Sequence, residues 1–192
     1  SDDQNFVAVW AAWNFTGYEA RAGYPVYRTL VETMADIGDE YGCGRALCEY
    51  DRDELGSYGT PMAPMLLPYW TDGCIGSMEG LYFESSATVP FHFLMQSELS
   101  ANPSRPMRGL AYRGLDLESG IEHMRMSGVR YYLAFSEQAI EQATGHPDRL
   151  ELLAISGPWR IYRVVDSSLV EGLSYEPNVS SEGNAGGRAW TD

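Results

Sequence analysis

The most constraining feature of the chain is a regular succession of capped helices and apolar strands between residues 116 and 165. Asp116 stands where a helix N-cap is wanted, Leu117, Ile121 and Met124 share one helical face, and Gly128 supplies the stop. Residues 129–135 then read as a buried strand, and Ser136 caps a second helix that Gly145 ends. Two further strands, 150–155 and 159–165, are joined by Ser156-Gly157-Pro158, a hairpin by length and turn chemistry. Strands this apolar need helices over them, so the pattern predicts an α/β layered domain with a mixed sheet and a C-terminal β-hairpin.

The first half is less regular. Residues 24–37 predict a helix, with Pro25 at its first turn, Val26, Leu30, Met34 and Ile37 on one face, and Gly38 as the stop. A short strand follows at 45–50. The segment 5–18 mixes Trp10, Trp13, Phe15 and Tyr18 with alanines without a clean period, and reads as a lead-in that is partly strand. Residues 51–80 form a long irregular stretch rich in Gly, Pro and aromatic residues, of the kind that often carries function inside a compact domain. Residues 86–99 read as a helix with Phe91, Leu94, Met95 and Leu99 on one side, and 102–114 as a loop bearing proline and arginine. With 192 residues, 44% of them hydrophobic, there is enough chain for one core. We expect a single α/β domain over 1–172 and an extended or loose tail over 173–192.

Charge and composition exclude several functions. The formal net charge is -14 and the thirteen basic residues are scattered, so nucleic acid and anionic bilayer surfaces would be repelled. All thirteen are arginine. Without lysine there is no phosphate-loop lysine, no Schiff base and no lysine general base. No apolar run approaches the ~20 residues that span a bilayer, and residues 1–4 lack the basic region and apolar core of a secretion signal. Of the three cysteines, Cys43 and Cys74 are the favoured pair, because Cys48 is five strand residues from Cys43, roughly 16 Å if extended. Three buried free thiols are the alternative.

Catalytic motifs are approached but not completed. Gly76-Ser77-Met78-Glu79-Gly80 places its serine one position too early for a nucleophile elbow, and Gly42-Cys43-Gly44 is followed by Leu47 where a dinucleotide fingerprint needs glycine. His92, His123 and His146 have no metal-ligand spacing, and Asp51, Asp53 and Glu54 lack the glycine and distal glutamate of a calcium loop. No metal or cofactor is implied. Glu79 and Glu84 flank Leu81-Tyr82-Phe83, and Tyr58, Tyr69 and Trp70 lie just upstream. Aromatic faces stack on sugar rings while carboxylates take the hydroxyls, although such rings more often fill a core.

Several motifs carry a resemblance to one family. They are Asn14-Phe15-Thr16-Gly17-Tyr18-Glu19, Gly59-Thr60-Pro61-Met62-Ala63, Met65-Leu66-Leu67-Pro68-Tyr69-Trp70-Thr71, Ser77-Met78-Glu79-Gly80-Leu81, Phe83-Glu84-Ser85-Ser86, Phe93-Leu94-Met95-Gln96, Gly128-Val129-Arg130-Tyr131-Tyr132 and Ser156-Gly157-Pro158-Trp159. Over about 10–175 the chain resembles the extracytoplasmic domain of the multispanning "membrane protein, 6-pyruvoyl-tetrahydropterin synthase-related" family of GC-rich Gram-positive bacteria. That family is similar to polyprenyl-phosphate-dependent glycosyltransferases. The close histidine spacing of the pterin synthase zinc site is missing, so its activity is not implied. The catalytic carboxylate of such transferases lies between early membrane helices, outside this segment. The resemblance therefore implies a domain without turnover of its own, on the extracytoplasmic face of the cell membrane. Its partners would be the membrane-embedded remainder of the protein and an envelope glycan. Acceptor or glycan binding is expected at Tyr69, Trp70, Glu79, Glu84 and His92, with no catalytic residue in this segment. The rivals are a scaffold or sensor domain, and a hydrolase built on Glu79 and Glu84.

Overall fold

In a computed structural model, residues 6–17, 19–78 and 86–170 are described, with only the backbone for 13–15. The chain is a mixed α/β fold around a five-stranded sheet of order β2-β1-β3-β5-β4. The strands are β1 (Gly44–Cys48), β2 (Ile75–Ser77), β3 (Val129–Ala134), β4 (Leu150–Ser156) and β5 (Trp159–Val164). β1 runs parallel to both neighbours, whereas β5 is antiparallel to β3 and β4, so β4 and β5 form the closing hairpin. Gly157, at φ 57°, provides the left-handed turn residue that lets two strands reverse over so few residues.

Side-chain alternation sorts the strands between two cores. Ala46, Tyr131, Leu133, Trp159 and Ile161 face one side, where α2 (Tyr24–Tyr41) lies across the sheet through Tyr27, Leu30, Met34 and Ile37. Leu47, Tyr132, Ala134, Tyr162 and Val164 face the other, under α6 (Leu117–Met126) and α7 (Glu137–Thr144). The parity of β3 changes at Arg130, where a register irregularity sends Val129 to the second core and Tyr131 to the first. Helices on both faces explain why the central strands carry no polar side.

Local signals explain the elements that follow the sequence pattern. Asp116 accepts the Ser119 amide and hydroxyl, and Ser136 accepts the Ala139 amide, so each caps its helix as its position predicts. Besides helix α2, which runs on through Gly38 to Tyr41 instead of stopping there and leaves Val26 39% exposed, three segments differ from the sequence expectation. Residues 6–15 are not strand: they form helix α1 (Phe6–Phe15), because alanines and short-range hydrogen bonding prevail where no strand partner is within reach. The stretch 51–80 is not wholly irregular: it holds the short helices α3 (Arg52–Leu55) and α4 (Leu67–Trp70) and the edge strand β2, too short to show a period. The third is helix α5 (Val89–Glu98), which starts three residues later than the pattern and turns a different face inward. Met95 and Leu99 are buried as expected, but Phe91 is 44% exposed and His92, Phe93 and Gln96 occupy the inner side.

A disulfide joins Cys43 to Cys74, fastening the turn after α2 to the residue before β2, while Cys48 is not disulfide-bonded. Gly38 faces the bridge: a Cβ there would stand 2.7 Å from the Cys74 sulfur. Among the described residues no helix is long and apolar enough to cross a membrane.

Candidate functional site

β1 is the switch point of this sheet, because the chain leaves it for β2 on one side and returns to β3 on the other. Ligands of open α/β sheets gather at the carboxyl ends of strands around such a point. Here that place is occupied by the protein itself. Glu49, 1% exposed, accepts the amides of Phe135 and Ser136 at 2.8 and 2.9 Å and that of Ala101 at 3.2 Å. Its carboxylate thus ties β1, β3 and the loop after α5 together. Beside it Asp51 caps α3 and takes a 2.7 Å bond from the Asn102 amide. Burial works against the Asp51 charge, but the Glu54 amide, the Asn102 side chain and the Asp53 amide outweigh it and lower its pKa. The cavity left at these strand ends is only about 20 Å³, enough for a water.

A roomier site lies on the α5–α6 face. A cleft of about 500 Å³ is lined by Arg45 from β1, Ser86 and Thr88 before α5, His92 from α5, and His123 and Ser127 from α6. Its apolar wall is Met78, Val89, Phe91, Leu94, Met95 and Met126. Such a volume, mostly apolar with a few polar groups, suits a small ligand with one polar end.

The polar corner of the cleft is built around a buried carboxylate. Glu98 is 2% exposed, and one of its oxygens lies 2.5 Å from Nδ1 of His123, whose side chain is 43% exposed. Its other oxygen is 3.7 Å from the guanidinium of Arg113. A carboxylate can only accept, so Nδ1 carries the hydrogen, and in the neutral imidazole Nε2 is then the acceptor. The approach depends on Gly120, one turn before His123: a Cβ there would fall 2.6 Å from Leu99 Cδ2. The C-terminal end of α5 is further pinned by the Asp116 amide on the Glu98 carbonyl and the Tyr132 hydroxyl on the Leu99 carbonyl. Full burial raises the Tyr132 pKa far above its ordinary value, so this phenol stays a donor.

Of the five residues expected to bind an acceptor or glycan, the described structure places His92 in the cleft. His92 is buried on its wall. Tyr69 and Trp70 belong to α4, which packs with the α2-side core, on the opposite face of the sheet. Tyr69 is 72% exposed and meets the Trp70 ring edge-on at 4.8 Å, and the buried Trp70 indole nitrogen has no hydrogen-bond partner among the described residues. Glu79 and Glu84 lie outside the described residues; Met78 and Ser86 on either side of that segment both line the cleft. Tyr58 is core, buried against Tyr27 and Trp159.

Sequence reasoning missed Glu98, Arg45 and the pairing of His123. The one legible signal was Glu98 itself, a carboxylate set between Met95 and Leu99 on an inward face. Nothing in a separation of 25 residues announces the partner. Among the described residues no three His, Cys, Asp or Glu side chains gather as a metal site. No protein-family model matches the chain, and neither curated proteins nor solved structures give a match.

Proposed function

We propose that this chain is the recognition domain of an extracytoplasmic, glycosyltransferase-like membrane protein, and that the α5–α6 cleft receives its acceptor or glycan. The observation that carries the reading is the cleft itself, where His92, Ser86, Thr88 and Arg45 stand on one wall system with an apolar surface. The polar groups would take sugar hydroxyls and the methionine-rich surface the apolar part of an acceptor. Met78 and Ser86, which belong to motifs of the family resemblance, line this cleft and support the same reading. The Cys43–Cys74 bridge is compatible with an oxidising compartment.

The test is an amide NMR titration with envelope oligosaccharides and with an alkyl glycoside as an amphiphilic probe. Shifts confined to Ser86, Thr88, His92 and Ser127, lost in His92→Ala, are expected. Shifts centred on Tyr69 and Trp70 would relocate the site, and no shift with any probe would end the proposal.

A scaffold role draws on a different observation. Helix α1 leaves Phe6, Val7, Val9 and Trp10 between 47 and 78% exposed, an apolar surface with no charged residue in it. That reading expects unchanged glycan titrations and association that is lost on replacing Trp10 by Ser.

A further inference from the structure

We infer that Glu98 and His123 make the cleft a general-base site that hydrolyses esters of apolar carboxylic acids. This goes beyond glycan recognition and rests only on the cleft. Four observations meet there. The Glu98 carboxylate is buried and fixes the His123 ring through Nδ1 at 2.5 Å, which makes Nε2 the nitrogen that accepts a proton in the neutral imidazole. His123 is at the same time 43% exposed along its side chain and lines the cleft, so the orienting group is shielded while the base is reachable. This is the arrangement a general base requires, with geometry set by the carboxylate and basicity carried by the imidazole.

Arg45, from the same wall, uses Nη1 on the Ser127 carbonyl at 2.7 Å, which leaves further N–H donors on a cation beside the cleft. A fixed cation facing developing negative charge is the second requirement of acyl chemistry. The apolar wall, with Leu94, Met95 and Met126, provides the third, a place for an acyl chain. Ser86 and Thr88 hydroxyls bond each other at 2.8 Å, and neither is joined to His123. In the proposed reaction the nucleophile is water.

The step balances without any other reactant. Water oxygen bonds to the ester carbonyl carbon while one of its protons passes to His123 Nε2, and Arg45 stabilises the oxyanion. Collapse breaks the carbon–alkoxide bond, and the imidazolium proton goes to the alkoxide. Ester and water become carboxylic acid and alcohol, with the imidazole restored. His123 is the catalytic residue. Glu98 is a positioning residue.

The experiment uses the whole chain with p-nitrophenyl acetate, butyrate and octanoate. Wild type is expected to exceed His123→Asn in kcat/KM by roughly 10²- to 10⁴-fold, the usual share of a positioned base. The butyrate and octanoate should exceed the acetate. Glu98→Gln should lower kcat with KM unchanged, as a loss of orientation rather than of binding. Circular dichroism checks that both variants fold. Equal rates for wild type and folded His123→Asn would overturn the inference, as would hydrolysis that ignores chain length. Failure of the glycoside titration with ester hydrolysis intact would sink only the recognition proposal.

Discussion

The two faces of the sheet solve the same packing problem with different materials. The α2 side is closed by large rings: Tyr27, Tyr58 and Trp159 are stacked or tilted on one another at about 6 Å, and the Cys43–Cys74 bridge fastens its edge. The α5–α6 side has one stacked pair, Tyr132 with Tyr162, and is otherwise closed by Met, Leu, Ile, Val and Ala. Of the nine buried polar residues among those described, five (His92, Gln96, Ser97, Glu98 and Ser100) fall within nine positions along α5 and its exit. Burying polar groups costs free energy unless each is partnered, so a fold that needed only stability would not concentrate them there. On the functions proposed above, the α2 face is the structural half and the α5–α6 face the chemical half.

That division can be broken by perturbing each face and watching the other. The largest effect is expected from Trp159→Ala, which removes the biggest fully buried side chain and should cost about 3–5 kcal/mol in denaturant unfolding. Next comes loss of the disulfide. Its ends are 31 residues apart, and Cys43→Ala with Cys74→Ala should cost about 2–4 kcal/mol. If the faces divide as described, ligand shifts in the α5–α6 cleft persist in that variant below its melting temperature. Their loss would show that the cleft depends on the α2 edge.

A smaller effect is expected on the chemical face. Gly120→Ala sets a Cβ 2.6 Å from Cδ2 of the fully buried Leu99, so the leucine or helix α6 must shift, at a cost of about 1–3 kcal/mol. The His123–Glu98 contact should lengthen with it, read as a changed His123 imidazole ¹⁵N spectrum. A spectrum identical to wild type would detach the helix approach from the pair.

The smallest is at the switch point. Asp51→Ala removes the α3 cap and should cost about 1 kcal/mol at neutral pH. Because the folded protein lowers the Asp51 pKa, its contribution is full above the ordinary aspartate range and is lost as pH falls through the lowered value. Wild type and Asp51→Ala should therefore converge in stability toward acid. A constant gap down to low pH would assign the effect to packing rather than charge.

Much of the fold was legible, and the reason is local. Asp116 and Ser136 cap helices through bonds within three residues of themselves, and the strands from 129 onward are apolar because both faces are covered. Edge strand β2 was not legible, since three residues beside a parallel neighbour present neither alternation nor length. The inward face of α5 was misjudged for a related reason. Apolar spacing pointed to Phe91 and Leu94, but the partners that bury His92 and Gln96 come from elsewhere in the chain.

The candidate site divides along the same line. By itself the sequence determined the α/β class, the absence of lysine chemistry and the presence of His92 and Glu98 on a helix, because composition and short-range periodicity are properties of neighbours along the chain. Only the tertiary structure decided that Tyr69 and Trp70 stand on the far face of the sheet from His92, and that Glu98 meets His123 across the α5–α6 contact. That contact rests on the close approach allowed at Gly120 and on register within a two-sided sheet, and neither is encoded in any single stretch of residues.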